Sequence, residues 1–308
     1  MNQPIPKTIR EYLDQLREEL RGADPAMVQD ALYDAEEHLR AELAENAQLD
    51  EAAMLAQVAT TYGAPAEVAD IYRVKEDQVE RALRPPRRNP VVEKSLLARF
   101  FGVAVDPRAY AALFYLALSL ATGIFYFTWV VTGLSLSAGF AILIIGVPFV
   151  ILFFATVRAL SFVEGKIVEA MLGVRMPRRP LYVDRGLSIG QRIAAMFTDA
   201  RTWTTLLYML LMLPLGVVYF SFATVLLATS FGFMAAPFAR FYSETGVIVI
   251  DGDVLHWSAP DWSLPLFFLA GVLLLFVVLH AARGIGHLHG QLAKSLLVRP
   301  AESAEGRE

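Results

Sequence analysis

The chain has 308 residues, 56% of them hydrophobic and only 19% charged, with a formal net charge of −4 and a mean hydropathy of +0.45. A soluble globular protein carries more charge and less apolar weight than this. The lack of any cysteine excludes disulfides, thiolate catalysis, Cys-ligated zinc and iron–sulfur clusters.

Charge is segregated along the chain. Residues 1–72 hold five Lys/Arg against fifteen Asp/Glu, residues 73–108 hold nine basic against five acidic, and long apolar runs dominate the remainder. This is the pattern of an acidic soluble head, a basic neck and a membrane body. So acidic a head repels phosphate backbones, which argues against nucleic acid as a partner.

The opening MNQPIPKTIREYLDQLREEL has no apolar core of a signal peptide, so the head is expected to stay on the cytoplasmic side. Ile9, Tyr12, Leu13, Leu16 and Leu20 share one helical face. Asp24-Pro25 reads as an N-cap followed by a first-turn proline, opening a second helix with Val28, Leu32, Ala35, Leu39 and Leu43 inward. Asp50 caps a third helix with Met54, Leu55, Val58 and Tyr62, which stops at Gly63. Pro65 starts a short fourth with Val68, Ile71 and Tyr72 inward. The expected head is a helical bundle over residues 1–75, marginal in core size unless it docks on something. Residues 76–99 read as a basic linker helix and a Pro/Arg neck whose RPPRRNP stretch (84–90) suits anionic headgroups.

Spanning a bilayer takes about 20 apolar residues in a helix. Four segments qualify, near 110–132, 139–160, 203–229 and 264–282. Arg158, at the inner end of the second, and His280, at the end of the fourth, are the ionisable residues there apart from tyrosines. The 161–202 connector carries Lys166, Arg175, Arg178, Arg179, Arg185, Arg192 and Arg201, whereas the 133–138 connector has no basic residue and 230–263 has only Arg240. Positive loops stay inside. N-terminus, central loop and C-terminus are therefore expected in the cytoplasm, in the inner membrane of a bacterium.

Two stretches of the body echo each other. DPRAYAALFYLALSLATGIFYF (106–127) and DARTWTTLLYMLLMLPLGVVYF (199–220) agree at nine of 22 positions, including Asp106/Asp199, Arg108/Arg201, Tyr115/Tyr208, Gly123/Gly216 and Tyr126/Tyr219. RALSFVEGKIVEAMLGVRMP (158–177) is answered by RGIGHLHGQLAKSLLVRP (283–300). An internal duplication accounts for both. Each copy reads as span, span and an amphipathic helix at the inner surface, the alternative being a plain continuation of the span. Copies with an even number of spans run in parallel. The second copy carries an outer insert in which VIVI-DG-DVLHW suits a hairpin turning at Asp251-Gly252. It reads either as an element that touches a ligand or as a lid anchored by Trp257 and Trp262.

The lines YLDQLREEL, DALYDAEEHLRAEL and YGAPAEVADIY resemble the HAAS signalling domain. DPRAYAALFYLALSLATGIFYFTWVVTGLSLSAGFAILIIGVP, RALSFVEGKIVEAMLGVRMP and DARTWTTLLYMLLMLPLGVVYF resemble the sensor domain at the N-terminus of bacterial, especially actinobacterial, transmembrane histidine kinases. Together they cover about residues 9–75 and 100–298. The resemblance implies perception or relay of a signal at the membrane. Only AESAEGRE follows residue 300, which leaves no room for a phosphoacceptor helix or ATP-binding domain. The expectation is a relay without a kinase of its own.

The fold class expected is all-α: a small cytoplasmic bundle plus a body of four transmembrane helices in two parallel repeats (106–177 and 199–300), a short outer hairpin, and a tail at 301–308. The paired Tyr126/Tyr219 and Gly123/Gly216, with Trp257, are the candidate ligand-binding residues, the plainer alternative being helix packing. Asp106, Arg108, Asp199 and Arg201 are candidate contacts to lipid headgroups or a partner domain. His287 and His289 are two apart and fall on different helical faces, so no metal or haem site is expected, and no cofactor or enzyme activity. Partners expected are membrane lipids, an unknown kinase, transcription regulator or ABC transporter subunit, and a second copy of the chain. Two readings compete with the relay: an accessory subunit of a transport complex, and a lipid-modifying enzyme.

Overall fold

The computed structural model describes residues 6–46, 48–83, 96–140, 146–179, 197–239, 246–250, 253–257 and 260–298. In chain order these form α1 (Ile9–Glu19), α2 (Pro25–Glu45), α3 (Glu51–Thr61), α4 (Pro65–Leu83), α5 (Leu96–Phe101), α6 (Pro107–Phe140), α7 (Gly146–Leu172), α8 (Ala200–Ala239), the strands β1 (Gly246–Ile250) and β2 (Asp253–Trp257), and α9 (Leu264–Leu297). By contacts the chain divides into two units. One comprises residues 1–88, 133–208 and 290–308; the other comprises 89–132 and 209–289.

In the first unit, α1–α4 build the head. Thr8, Asp24 and Asp50 each cap a helix by accepting a backbone N–H in its first turn, from Glu11, Ala26 and Ala53. The apolar faces close on a core of Tyr12, Leu13, Leu16, Leu20, Leu39, Met54, Leu55 and Val58, among others. Gly63, at φ +113°, turns the chain out of α3, and its carbonyl accepts the Tyr12 hydroxyl at 2.8 Å. That glycine was legible as the stop of the third helix. Two expectations need correction. The fourth helix is not short: it runs 19 residues to Leu83, continuous with the start of the expected linker helix. Ile71 does not face inward but is 49% exposed.

Leu39 is fully buried. Truncating such a leucine costs about 2–5 kcal/mol, a large share of what a core this small supplies. Leu39→Ala in the full chain is expected to speed hydrogen exchange throughout α1–α3. Unchanged exchange there would refute this core.

α6, α7, α8 and α9 are each long and apolar enough to cross a membrane. They leave large apolar side chains uncovered, Phe114, Leu152, Val218 and Leu288 among them, each more than 60% exposed. Such a surface belongs against lipid. The chain is thus a multi-pass membrane protein of helical fold.

Of the two readings of the amphipathic stretches 158–177 and 283–300, the structure shows the plain continuation of the span and not a separate surface helix. Residues 158–172 continue α7 without a break to Gly173, whose φ of +69° ends it, and 283–297 continue α9. Glu164 and His289 on these extensions find partners on other helices, so the helix has no need to lie down at the interface to wet them. Pro214 likewise sits inside an unbroken α8.

In the second unit, β1 and β2 pair antiparallel in the expected register, with Ile250 opposite Asp253 and Gly246 opposite Trp257. The turn residues Asp251 and Gly252, and the side chain of Trp257, lie outside the described residues.

Candidate functional site

Within the second unit the two echoing stretches meet at their glycines. A Cβ on Gly123 would overlap the Met212 carbonyl oxygen, and one on Gly216 would overlap that of Ser119. Ser119 and Met212 are themselves 93 positions apart, like the glycines, so the two contacts repeat each other with the partners exchanged. Only a residue without a side chain permits backbones this close. Gly123 and Gly216 therefore act in helix packing. Tyr126, a turn further on, is buried.

Tyr219 is half-buried, with its ring edge-on to His289 at 5.5 Å between centroids. His289 is itself 1% exposed, and its Nε2 shares a hydrogen bond of 2.8 Å with the Tyr115 hydroxyl. In the first unit the Tyr208 hydroxyl donates to Glu164 Oε1 at 2.9 Å, and Glu164 is fully buried. Tyr115 and Tyr208 are equivalent positions of the two stretches, and counting from Arg158 and Arg283 so are Glu164 and His289. Each pair thus joins one stretch to the helix extension of the other.

Sequence reasoning missed both ionisable groups because it ended the spans before them. The signal was present, since Glu164 and His289 fall in register once the two arginines are aligned. His287, in contrast, is exposed, so the two histidines do occupy different faces.

Asp106 accepts the N–H of Arg108 at 3.1 Å and pairs with Arg283 at 2.9 Å. Asp199 accepts the N–H of Arg201 at 3.1 Å in the same way. Both aspartates therefore cap their helices, as the Asp-x-Arg spacing predicts. Arg201 reaches the head, its Nη1 donating to Gln29 Oε1 at 2.8 Å.

The densest polar cluster lies in the first unit, where the head grips the segment after α7. Asp30 of α2 takes three donors: Arg175 Nη2 and the backbone N–H groups of Arg178 and Arg179, each at 2.8 Å. Arg175, 8% exposed, also pairs with Glu76 of α4 at 3.1 Å and with Glu169 of α7 at 3.7 Å. Asp34 pairs with Arg179 at 2.7 Å, Gln29 donates to the Arg179 carbonyl at 2.8 Å, and Asp24 holds Lys294.

Burial works to lower the basicity of the Arg175 guanidinium, but its hydrogen bond to Asp30 and the charge of Glu76 outweigh that, and the group stays firmly charged. Glu76 is pushed above the ordinary carboxylate range because its desolvation exceeds the relief from Arg175. Tyr72, half-buried and donating to Asp34 at 2.9 Å, is pushed far above the ordinary phenol, first by desolvation. The arrangement is an acidic helix face closed on a basic turn. It holds the head against the turn after α7.

No curated protein and no solved structure matches the sequence. The family model described as "Putative sensor" matches residues 115–297, which is more than half of the chain and runs from Tyr115 in α6 to the last residue of α9. Both members of each tyrosine pair and the whole of α7 and α8 fall inside that match, and on its extent the chain belongs to the Sensor family.

Proposed function

We propose that this protein is a non-catalytic sensor and signalling relay of the bacterial cytoplasmic membrane. Its four-span body perceives a membrane or envelope signal, and its HAAS-like head passes that on to a cytoplasmic or membrane-bound protein. One observation carries the reading: the Asp30–Arg175–Glu76–Glu169 cluster, through which the head holds the inner end of a membrane-spanning helix. A buried charged cluster contributes little net stability compared with apolar packing, yet it breaks sharply when one member is displaced. That suits a contact meant to open. A shift of α7 or of the 173–179 turn would change the grip on α2 and α4 directly.

The repeated glycine and tyrosine contacts support the reading of the body as two duplicated halves. The topology expected from the loop charges agrees with the docking, because the head's carboxylates pair with the arginines that mark the inner loop. Reporter fusions at residue 180 and at the C-terminus are expected to read cytoplasmic, and one beside Asp251 external. A cytoplasmic reading at Asp251 would remove the four-span scheme.

The function is tested by capturing partners of the full chain in mild detergent, with wild type and Arg175→Ala side by side. A relay brings down a kinase or transcription regulator whose yield changes when the head is released. A transport ATPase in its place, with equal yield from both proteins, would overturn the relay.

A further inference from the structure

The first unit contains a cavity of about 500 Å³ with an unusual lining. Phe154 and Phe162 of α7 supply apolar wall, and Arg158, Arg179, Arg201 and Thr202 are among its polar residues, with no carboxylate among the described lining residues. Arg179 is paired with Asp34 outside the lining, and Arg158 and Arg201 bring positive charge to an apolar hollow.

Arg158 sharpens the point. Its equivalent in the second half, Arg283, pairs with Asp106 at 2.9 Å. The corresponding carboxylate is Asp199, which accepts the N–H of Arg201 as Asp106 accepts that of Arg108, yet among the described residues none pairs with Arg158. An arginine within a spanning helix is costly until an anion meets it. Thr202 adds an independent sign. It lines the same cavity, it is 6% exposed, and its Oγ1 has no hydrogen-bond partner among the described residues. Buried hydroxyls are normally satisfied, and this one sits where an acidic ligand's oxygens would be.

We propose that this cavity binds the phosphate headgroup of an anionic membrane lipid, with Arg158, Arg201 and the Thr202 hydroxyl on the phosphate and Phe154 and Phe162 along the start of the acyl chains. The volume is in the range of small-ligand sites, about 300–1,000 Å³, which suits a headgroup and glycerol with the chains leaving along the apolar wall of α7. Guanidinium forks match phosphate oxygens better than any other side chain does.

The site is also wired to the head. Arg201 is held by Gln29 Oε1 and Arg179 by Asp34, both on α2. A lipid phosphate on Arg201 therefore competes with the head for one of its own contacts, the Gln29 hydrogen bond, and occupancy loosens α2. This last step rests on the relay reading above.

The test uses the full chain in a neutral maltoside detergent, titrated with phosphatidylglycerol or phosphatidylcholine of the same acyl chains and read by native mass spectrometry. Wild type is expected to retain phosphatidylglycerol about tenfold better, and Arg158→Gln to lose about that factor, the worth of one charged hydrogen bond. Thr202→Val should weaken retention in the same direction. Lys166→Gln, on the exposed side of α7 and outside the cavity, should leave it unchanged. Equal retention of the two lipids by wild type, or an undiminished preference in both Arg158→Gln and Thr202→Val, overturns the site. Displacement of the lipid by millimolar inorganic phosphate overturns the lipid assignment in favour of a soluble anion. Hydrogen exchange of α2 in the same samples separates the two ideas. Phosphatidylglycerol that binds selectively without loosening α2 leaves the site standing and sinks the relay. Exchange in α2 that responds to Arg175→Ala, with no lipid selectivity, does the reverse.

Discussion

A leucine at Gly123 or at Gly216 is expected to pull the membrane body apart. The first atom of any side chain there already overlaps a backbone carbonyl oxygen, Met212's in one case and Ser119's in the other. A carbonyl in a helix cannot rotate out of the way as a side chain does. Overpacking a well-filled core costs about 1–3 kcal/mol, and a rigid backbone obstacle belongs at or above the upper end. Even Gly→Ala should be felt. Gly232, on α8 with Gly216, has nothing within 4 Å of its Cβ position, and Ala228 on the same helix is exposed. Gly232→Leu and Ala228→Leu are therefore expected to melt with wild type in detergent, while Gly123→Leu and Gly216→Leu lose monodispersity at a clearly lower temperature. Wild-type melting in both glycine-to-leucine proteins would mean that this crossing does not hold the halves together.

Removing the Arg175 side chain is expected to free the head without disturbing membrane insertion. Asp30, Glu76 and Glu169 would then face one another without their shared cation. Breaking a buried charge cluster from one side costs about 3–5 kcal/mol, a cost softened at Glu169, which keeps Arg178 at 3.1 Å. Hydrogen exchange in α2 and in the second half of α4 should rise toward that of an undocked bundle, while α6–α9 keep their protection. Arg175→Lys should rescue only in part, since a single ammonium cannot fork to both Asp30 and Glu76. Asp30→Asn should resemble Arg175→Ala, because Asp30 also holds the N–H groups of Arg178 and Arg179. Unchanged exchange in α2 of Arg175→Ala would show that the cluster does not dock the head.

The sequence by itself determined what depends on near neighbours along the chain. The four spans follow from apolar length, the caps at Asp24 and Asp50 from first-turn chemistry, and the exit at Gly63 from a backbone angle that suits glycine. The paired glycines were legible too, because a shared spacing of 93 positions marks equivalent places before any contact is known. Tertiary structure alone decided the rest. Whether 158–172 and 283–297 lie flat or continue upright turned on partners for Glu164 and His289, and those partners, Tyr208 and Tyr115, come from distant helices. The acidic head and the basic loop were both visible as compositions, but that Asp30 would meet Arg175, 145 positions away, is set by the packing of the first unit. Arg158 and Arg283 are alike in sequence, and only the fold pairs one with a carboxylate and sets the other in the lining of a cavity. Local patterns fix local structure because their energies act within a few residues. Charge pairing falls off over a few ångströms of space, and the chain's linear order does not specify which groups are brought that close.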